Sequence, residues 1–127
     1  MLIKDYVQEI REAINSCSLV TSLSITSDER TDDRGFIVGE INFIDGSILY
    51  WREFVNVKTI INRGMYAYQY MTASKKLIFR YDNTRHHKKL NLPNFPHHKH
   101  DRSEDNVISS NAPTLVEVLQ EIKSLLR

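Results

Sequence analysis

The chain has 127 residues and a formal net charge of +1, and 41% of its residues are hydrophobic while 26% are charged. This balance excludes a wholly disordered protein, which would carry fewer apolar residues and a larger net charge. No stretch reaches the roughly 20 consecutive apolar residues that cross a bilayer, so a helical membrane span is excluded as well. The length suits one compact domain, and we predict a single domain over residues 1–127.

The first residues, MLIKDYVQEIREAI, mix acids and bases and lack the basic-then-apolar order of a secretion signal. A single cysteine, Cys17, excludes an internal disulfide and a multi-cysteine zinc site. These observations predict a cytoplasmic protein without a membrane partner.

Charge is unevenly distributed along the chain. Residues 1–57 carry five Lys/Arg against ten Asp/Glu, residues 58–102 carry ten against two, and residues 103–127 carry two against four. A basic segment in a nearly neutral protein is typical of an anion-binding surface, and nucleic acid is the commonest large anion in a cell. The alternative is that the acidic and basic parts fold together and neutralise each other.

The first element is a short amphipathic helix, predicted within residues 1–16 because apolar side chains recur at helical spacing. The periodicity then changes to two, and β-branched and aromatic residues predict strands. These are residues 19–27, 35–44, 47–57, 65–72 and 76–82, with turns at DERTDDRG, Asp45-Gly46, the Asn62-Arg63-Gly64 region and Ala73-Ser74-Lys75. Because short turns join antiparallel neighbours, we predict a meander of about five strands within residues 19–82.

After the strands, residues 83–110 are polar, basic and interrupted by prolines, which predicts a long irregular loop of the kind that often carries function. Residues 112–126 then repeat Leu, Val and Ile at spacings of three and four, and predict a helix that packs on the sheet. Its start is predicted near Ala112 or Pro113, with Asn111 or an adjacent polar residue as the cap. The predicted fold class is α+β, with one helix before and one after the sheet and loop.

All the histidines of the chain lie in this loop: His86, His87, His97, His98 and His100. An extended backbone at HHKH would send His98 and His100 to one side and His97 and Lys99 to the other. Imidazole exchanges protons near neutral pH, and RNA cleavage by the 2′-hydroxyl needs one group to accept a proton and one to donate it. Nearby Arg and Lys side chains can stabilise the negative charge on the phosphate.

Other interpretations remain open. His98 and His100 with Asp82 or Asp101 match the ligand preferences of zinc, but the flanking Lys and Arg residues would repel a cation, and we expect no metal or other cofactor. A basic, histidine-bearing surface can also bind nucleic acid or an acidic partner without catalysis, and a metal-dependent nuclease or nucleotidyl transferase is a further alternative. Glu53, flanked by Arg52, is either an extra base or a solvent-facing partner in an ion pair.

Tyrosines alternate along one predicted strand at residues 66, 68 and 70, so they share a face. Such rings can stack unpaired bases, although alternating aromatic residues also pack in cores.

The segments FRYDN (79–83), His86-His87 and PHHKH (96–100), followed by the helix motif VLxEIxxLL, resemble the TumE family of small toxins from prokaryotic toxin–antitoxin pairs. The resemblance covers roughly residues 48–126 and takes in the YAYQY strand and, more weakly, Glu53. It implies a toxin that inhibits growth and is neutralised by a cognate antitoxin. The partners we expect are therefore the antitoxin and RNA, and a homodimer is compatible with the sequence.

We predict that His98 and His100 form the active cluster with Arg80, which holds phosphate, and Asp82, which orients one histidine. His86, His87 and His97 are further catalytic candidates. The predicted nucleic-acid-binding residues are Arg85, Lys88, Lys89, Lys99, Tyr68 and Tyr70.

Overall fold

The computed structural model of the protein describes residues 1–126. Two α-helices flank a run of strands, in the order α1, β1 to β7, α2, and a short 3₁₀ helix (Lys88–Leu90) lies between β5 and β6. The helices are α1 (Ile3–Asn15) and α2 (Leu115–Leu125). The strands are β1 (Val20–Thr31), β2 (Arg34–Phe43), β3 (Ile48–Asn56), β4 (Asn62–Met71), β5 (Leu77–Asp82), β6 (His98–Asp101) and β7 (Val107–Ser109).

The strands form a single sheet in which every strand pairs antiparallel with its neighbours in sequence, in the order β1 to β7. The predicted α+β class and the meander are confirmed, but the count of about five strands is wrong because there are seven. The two additional strands, β6 and β7, lie in the segment predicted as an irregular loop. They are short, and prolines precede them, so the sequence alone gave no strand signal there.

Both helices pack on the same face of the sheet, which we call the helix face. Buried side chains of α1, such as Ile10 and Ile14, and of α2, such as Val118 and Ile122, share one core with inward-facing residues of the strands. No helix within residues 1–126 has the length and apolar character needed to cross a membrane. The opposite face, which carries no helix, is called the open face.

Local boundaries differ from prediction at three places, one of which is the Asn62-Arg63-Gly64 region, predicted as a turn but part of β4. DERTDDRG is mostly strand, since β1 and β2 pair as far as Thr31 and Arg34 and leave only a two-residue turn. The second helix begins later than predicted, because Thr114 and Glu117 form a capping box, in which Thr114 Oγ1 accepts from the Glu117 backbone N–H at 3.2 Å. The preceding carbonyls instead accept hydrogen bonds from Arg63.

Candidate functional site

Successive side chains of β6 point to opposite faces of the sheet, so the side chains of the PHHKH segment lie on both faces. His98 and His100 lie on the open face, and His97 and Lys99 lie toward the helix face. This is the arrangement that an extended backbone predicts. Both open-face histidines are nonetheless buried, with 2% of their surface exposed, although the sequence predicted an irregular loop there.

The pairing between strands aligns mostly polar side chains in two rows on the open face. One row consists of Val38, Arg52, Ala67, Asp82 and His98, and the next of Glu40, Tyr50, Gln69, Arg80 and His100. Residues of both rows, together with His86 and His87, line a cleft of about 440 Å³. The small side chain of Ala67 leaves room at the middle of the cleft.

Asp82 lies directly opposite His98 in the sheet and is 3% exposed. Its Oδ1 accepts hydrogen bonds from the Thr84 backbone N–H at 3.0 Å and the Thr84 hydroxyl at 2.9 Å, and its Oδ2 accepts one from Arg80 Nε at 3.1 Å. Burial opposes ionisation, but the hydrogen bonds from Thr84, the charge of His98 and the bond from Arg80 outweigh it, so the pKa of Asp82 is lowered. The carboxylate is therefore a fixed negative charge at the base of the cleft.

Backbone carbonyls orient the rings of both buried histidines. His98 Nδ1 lies 2.8 Å from the Pro96 carbonyl oxygen, and His100 Nδ1 lies 2.9 Å from the Glu104 carbonyl oxygen. A carbonyl only accepts, so each Nδ1 carries the proton, and in a neutral ring Nε2 carries the lone pair.

The two Nε2 atoms are close to Asp82 without bonding to it. His98 Nε2 lies 2.9 Å from Oδ1, and His100 Nε2 lies 3.6 Å from Oδ2. Neither contact has the direction of a hydrogen bond, and both Nε2 atoms are buried without a hydrogen-bond partner among residues 1–126. The site thus holds two oriented but unsatisfied ring nitrogens beside a carboxylate.

Arg80, the predicted phosphate-binding residue, lies at the edge of the cleft. Its guanidinium donates two parallel hydrogen bonds to Glu104, at 2.6 and 2.7 Å. Glu104 is 58% exposed, and an exposed ion pair contributes little to stability. A phosphate group matches the same paired geometry and can replace the carboxylate.

The segment between β5 and β6 brings His87 over the buried histidines. The ring centroid of His87 lies 4.9 Å from that of His98 and 5.3 Å from that of His100. Its partial burial and the charges of these two neighbours lower its pKa. The same segment exposes His86, Arg85, Lys88 and Lys89, which is compatible with contacts to an anionic ligand.

Lys99 and His97 do not join the cluster, because both lie on the helix-face side. Lys99 Nζ forms an ion pair with Glu121 of α2 at 3.0 Å and lies over the ring of Tyr81. His97 stacks on Tyr66, whose hydroxyl lies 2.9 Å from its Nδ1. The predicted roles of Lys99 in nucleic-acid binding and of His97 in catalysis do not fit this placement.

The tyrosines predicted to stack bases are core residues. Tyr68 and Tyr70 are buried on the helix face, with 0% and 1% of their surface exposed, so their rings are not accessible to a base. Tyr68 donates a short hydrogen bond to Glu53, and Tyr6 of α1 donates another at 2.6 Å. Glu53 is therefore neither solvent-facing nor near the cleft, and its carboxylate joins α1 to the sheet.

Sequence reasoning missed the other side of the cleft. Tyr50, Arg52 and Gln69 line it, and Arg52 is exposed there. These residues belong to β3 and β4 and lie 17 or more positions before the first histidine. Only the register between strands brings them together, and the sequence contains no motif that marks it.

Comparison with known proteins identifies the family. The family model described as Toxin TumE matches residues 10–126, most of the chain. Neither the curated proteins nor the solved structures give a significant match. The matched region includes the whole sheet, the cleft and the histidine cluster, and the resemblance seen in FRYDN, His86-His87 and PHHKH is confirmed. The chain belongs to the TumE family of toxins.

Proposed function

We propose that this toxin inhibits growth by cleaving RNA in the cleft on the open face of the sheet. The observation that carries the proposal is the cleft of about 440 Å³ with Asp82 and His100 in its lining and cationic side chains at its edge. A cleft that combines oriented imidazoles, a carboxylate and arginines contains the groups that phosphodiester cleavage requires.

The reaction needs no additional reagent. The 2′-oxygen forms a bond to the adjacent phosphorus, the bond from phosphorus to the 5′-oxygen breaks, and the hydroxyl proton passes to a base while an acid protonates the 5′-oxygen. The products are a 2′,3′-cyclic phosphate and a 5′-hydroxyl. DNA lacks the 2′-hydroxyl and cannot react in this way.

Positive charge at the cleft supports an anionic substrate. Arg52 crosses the middle of the open face, and Arg80 can exchange the Glu104 carboxylate for a phosphate. Arg85, Lys88 and Lys89 extend this basic surface along the segment that covers the cleft. The ring of Tyr50, which is half-buried in the cleft, can contact a base in place of the buried tyrosines of β4.

The proposed partner that controls the activity is an antitoxin protein, since membership of a toxin family implies a neutralising partner. The basic cleft would attract both RNA and an acidic antitoxin segment, so binding alone does not separate a catalyst from a binding module. Measurement of repeated RNA cleavage does distinguish a catalyst from a binding module.

The test is incubation of purified protein with cellular RNA and with DNA of matched sequence, followed by identification of the new ends. We expect RNA fragments with cyclic phosphate and 5′-hydroxyl ends, and intact DNA. A His98→Ala/His100→Ala double variant should lose cleavage, whereas His97→Ala, a change in the same segment toward the helix face, should keep it. Intact RNA with wild-type protein, or equal cleavage by the double variant, would contradict the proposal.

A further inference from the structure

Three imidazoles meet at the base of the cleft. The rings of His98 and His100 lie 5.0 Å apart, and His87 lies at a similar distance from both. One ring nitrogen from each histidine lies within 4.8 Å of the others. Such a cluster needs an explanation, because each buried ring nitrogen requires a hydrogen-bond partner or a ligand.

The hydrogen bonds of the buried pair match those of metal-binding histidines. In protein metal sites, the ligating ring usually donates its other N–H to a carbonyl or carboxylate, which fixes its tautomer and orientation. His98 and His100 both do this through Nδ1, toward the carbonyls of Pro96 and Glu104. The lone pairs at Nε2 are therefore available to bind a metal ion.

Both Nε2 atoms lack a hydrogen-bond partner in the part of the chain that the structure describes. Leaving a buried polar atom unsatisfied destabilises the folded state. Asp82 does not remove this cost, because neither contact between an Nε2 atom and its oxygens has the direction of a hydrogen bond. A ligand at the centre of the cluster would satisfy both nitrogens at once.

The size and charge of the site favour an ion over a substrate group. His98 and His100 are 2% exposed, and one ring nitrogen from each of the three histidines lies within 4.8 Å of the others, a spacing that a single ion can bridge. The Asp82 carboxylate supplies negative charge beside that position.

Two cations near the cluster are paired with carboxylates, and the basic residues Arg85, Lys88 and Lys89 are exposed to solvent. Lys99 pairs with Glu121 on the helix face, and the charge of Arg80 is offset by Glu104 and Asp82. Asp101, an alternative ligand from sequence, lies on the helix face beside Phe79 in the register and is not part of the cluster.

We propose that His87, His98 and His100 bind one divalent transition-metal ion of the zinc class. Imidazole nitrogen is a preferred ligand of zinc, and three protein ligands with one position left open are typical of catalytic zinc sites. Nitrogen atoms in a tetrahedral site lie about 3.3 Å apart, as bonds of 2.0 to 2.1 Å require, so the three nitrogens, which lie within 4.8 Å of one another, need only a small approach to hold an ion. Asp82 lies next to the ion and the open position faces the cleft.

The catalytic consequence rests on the proposed function, whereas ion binding does not. When bound, the ion would supply positive charge to a phosphate oxygen and lower the pKa of a bound water. The protein orients the two buried rings through the carbonyls of Pro96 and Glu104 and holds Asp82 beside them.

The test is titration of Zn²⁺ and Co²⁺ into tag-free, full-length protein that has been stripped with a chelator and returned to chelator-free buffer. Calorimetry should give one equivalent per chain, and Co²⁺ should show the intense visible absorption of a four-coordinate site. The His98→Ala/His100→Ala variant should lose the stoichiometric site. His97→Ala, which removes a histidine of the same segment, should bind as wild type does.

Because the double variant replaces buried side chains, His87→Ala provides a second measurement at a half-buried position outside the strands. We expect its affinity to fall by at least about tenfold, since even supporting residues of metal sites contribute that much. Absence of stoichiometric binding by wild type, or unchanged binding by His87→Ala, would overturn the three-histidine site. RNA cleavage by protein that binds no ion would overturn this inference alone, and ion binding without cleavage would overturn the proposed function alone.

Discussion

The sheet contains two buried carboxylates on opposite faces, and their surroundings differ. Glu53, on the helix face, is fully buried and accepts hydrogen bonds from Tyr6 and Tyr68. Asp82, on the open face, accepts hydrogen bonds as well, but borders a cleft and two histidine nitrogens that have no partner among residues 1–126.

The difference is between a carboxylate that joins core elements and one that borders unsatisfied histidine nitrogens, as expected for the proposed site. On the helix face, Glu53 accepts hydrogen bonds from both tyrosine hydroxyls, and burial together with the negative charge of Glu53 raises the pKa of Tyr6 and Tyr68. On the open face, the arrangement leaves ring nitrogens available beside a cavity. Burial of a charged residue therefore indicates function only when its neighbours remain unsatisfied and accessible to a ligand.

The largest expected effect on stability comes from Glu53→Ala. The change leaves the hydroxyls of Tyr6 and Tyr68 without their acceptor inside the core and opens a cavity, and we expect the free energy of unfolding to fall by about 3 to 4 kcal/mol. Urea unfolding followed by the fluorescence of Trp51, the single tryptophan, measures it. Glu29→Ala, at an exposed position of β1, should change it by about 0.5 kcal/mol or less. Equal effects of both changes would contradict a structural role for Glu53.

The corresponding change on the open face, Asp82→Asn, should act on function instead. The amide keeps the size of the side chain but removes the negative charge beside the histidines, so RNA cleavage and growth inhibition should fall about a hundredfold, which corresponds to about 2.7 kcal/mol. Asp101→Asn is the matched control, because it removes a carboxylate from the adjacent strand on the other face. Wild-type toxicity of Asp82→Asn at equal expression would place the active site elsewhere.

A smaller effect should follow from filling the cleft. Ala67 lies between Arg52 and Asp82 on the open face, and Ala67→Leu adds volume where the substrate would lie. We expect RNA cleavage to fall about tenfold, or about 1.4 kcal/mol in transition-state binding, with unchanged metal binding. Ala73→Leu, in the exposed turn before β5, should leave cleavage unchanged. If Ala67→Leu cleaves as wild type does, the substrate does not occupy this cleft.

The smallest effect is expected for Lys99→Ala. Lys99 lies between His98 and His100 in sequence, but its partner is Glu121 on the helix face, so only a partly exposed ion pair is lost. The free energy of unfolding should fall by about 1 kcal/mol or less, and the rate of RNA cleavage should not change. Arg80→Ala, which removes the guanidinium at the cleft, provides the contrast with a clear loss of cleavage. A comparable loss for Lys99→Ala would show that the two faces are not functionally separate.

Much of the fold was predictable because its signals are local. Residues close together in sequence determine three features: the period-two pattern of β1 to β5, the turn at Asp45-Gly46 and the apolar stripes of both helices. β6 and β7 carry no such signal, since they are short and gain their hydrogen bonds only by extending a sheet that already exists. The family resemblance could also be read from the sequence, because FRYDN and PHHKH are contiguous segments.

The sequence by itself determined which chemical groups are present and that His98 and His100 share a side of an extended strand, because alternation along a backbone is a local property. Only the tertiary structure decided that Asp82 lies opposite His98, that His87 covers the pair, and that Tyr68, Tyr70, His97 and Lys99 face the helices. Register between strands and the face on which helices pack depend on contacts between residues distant in sequence. Those contacts place the cleft on the open face of the sheet.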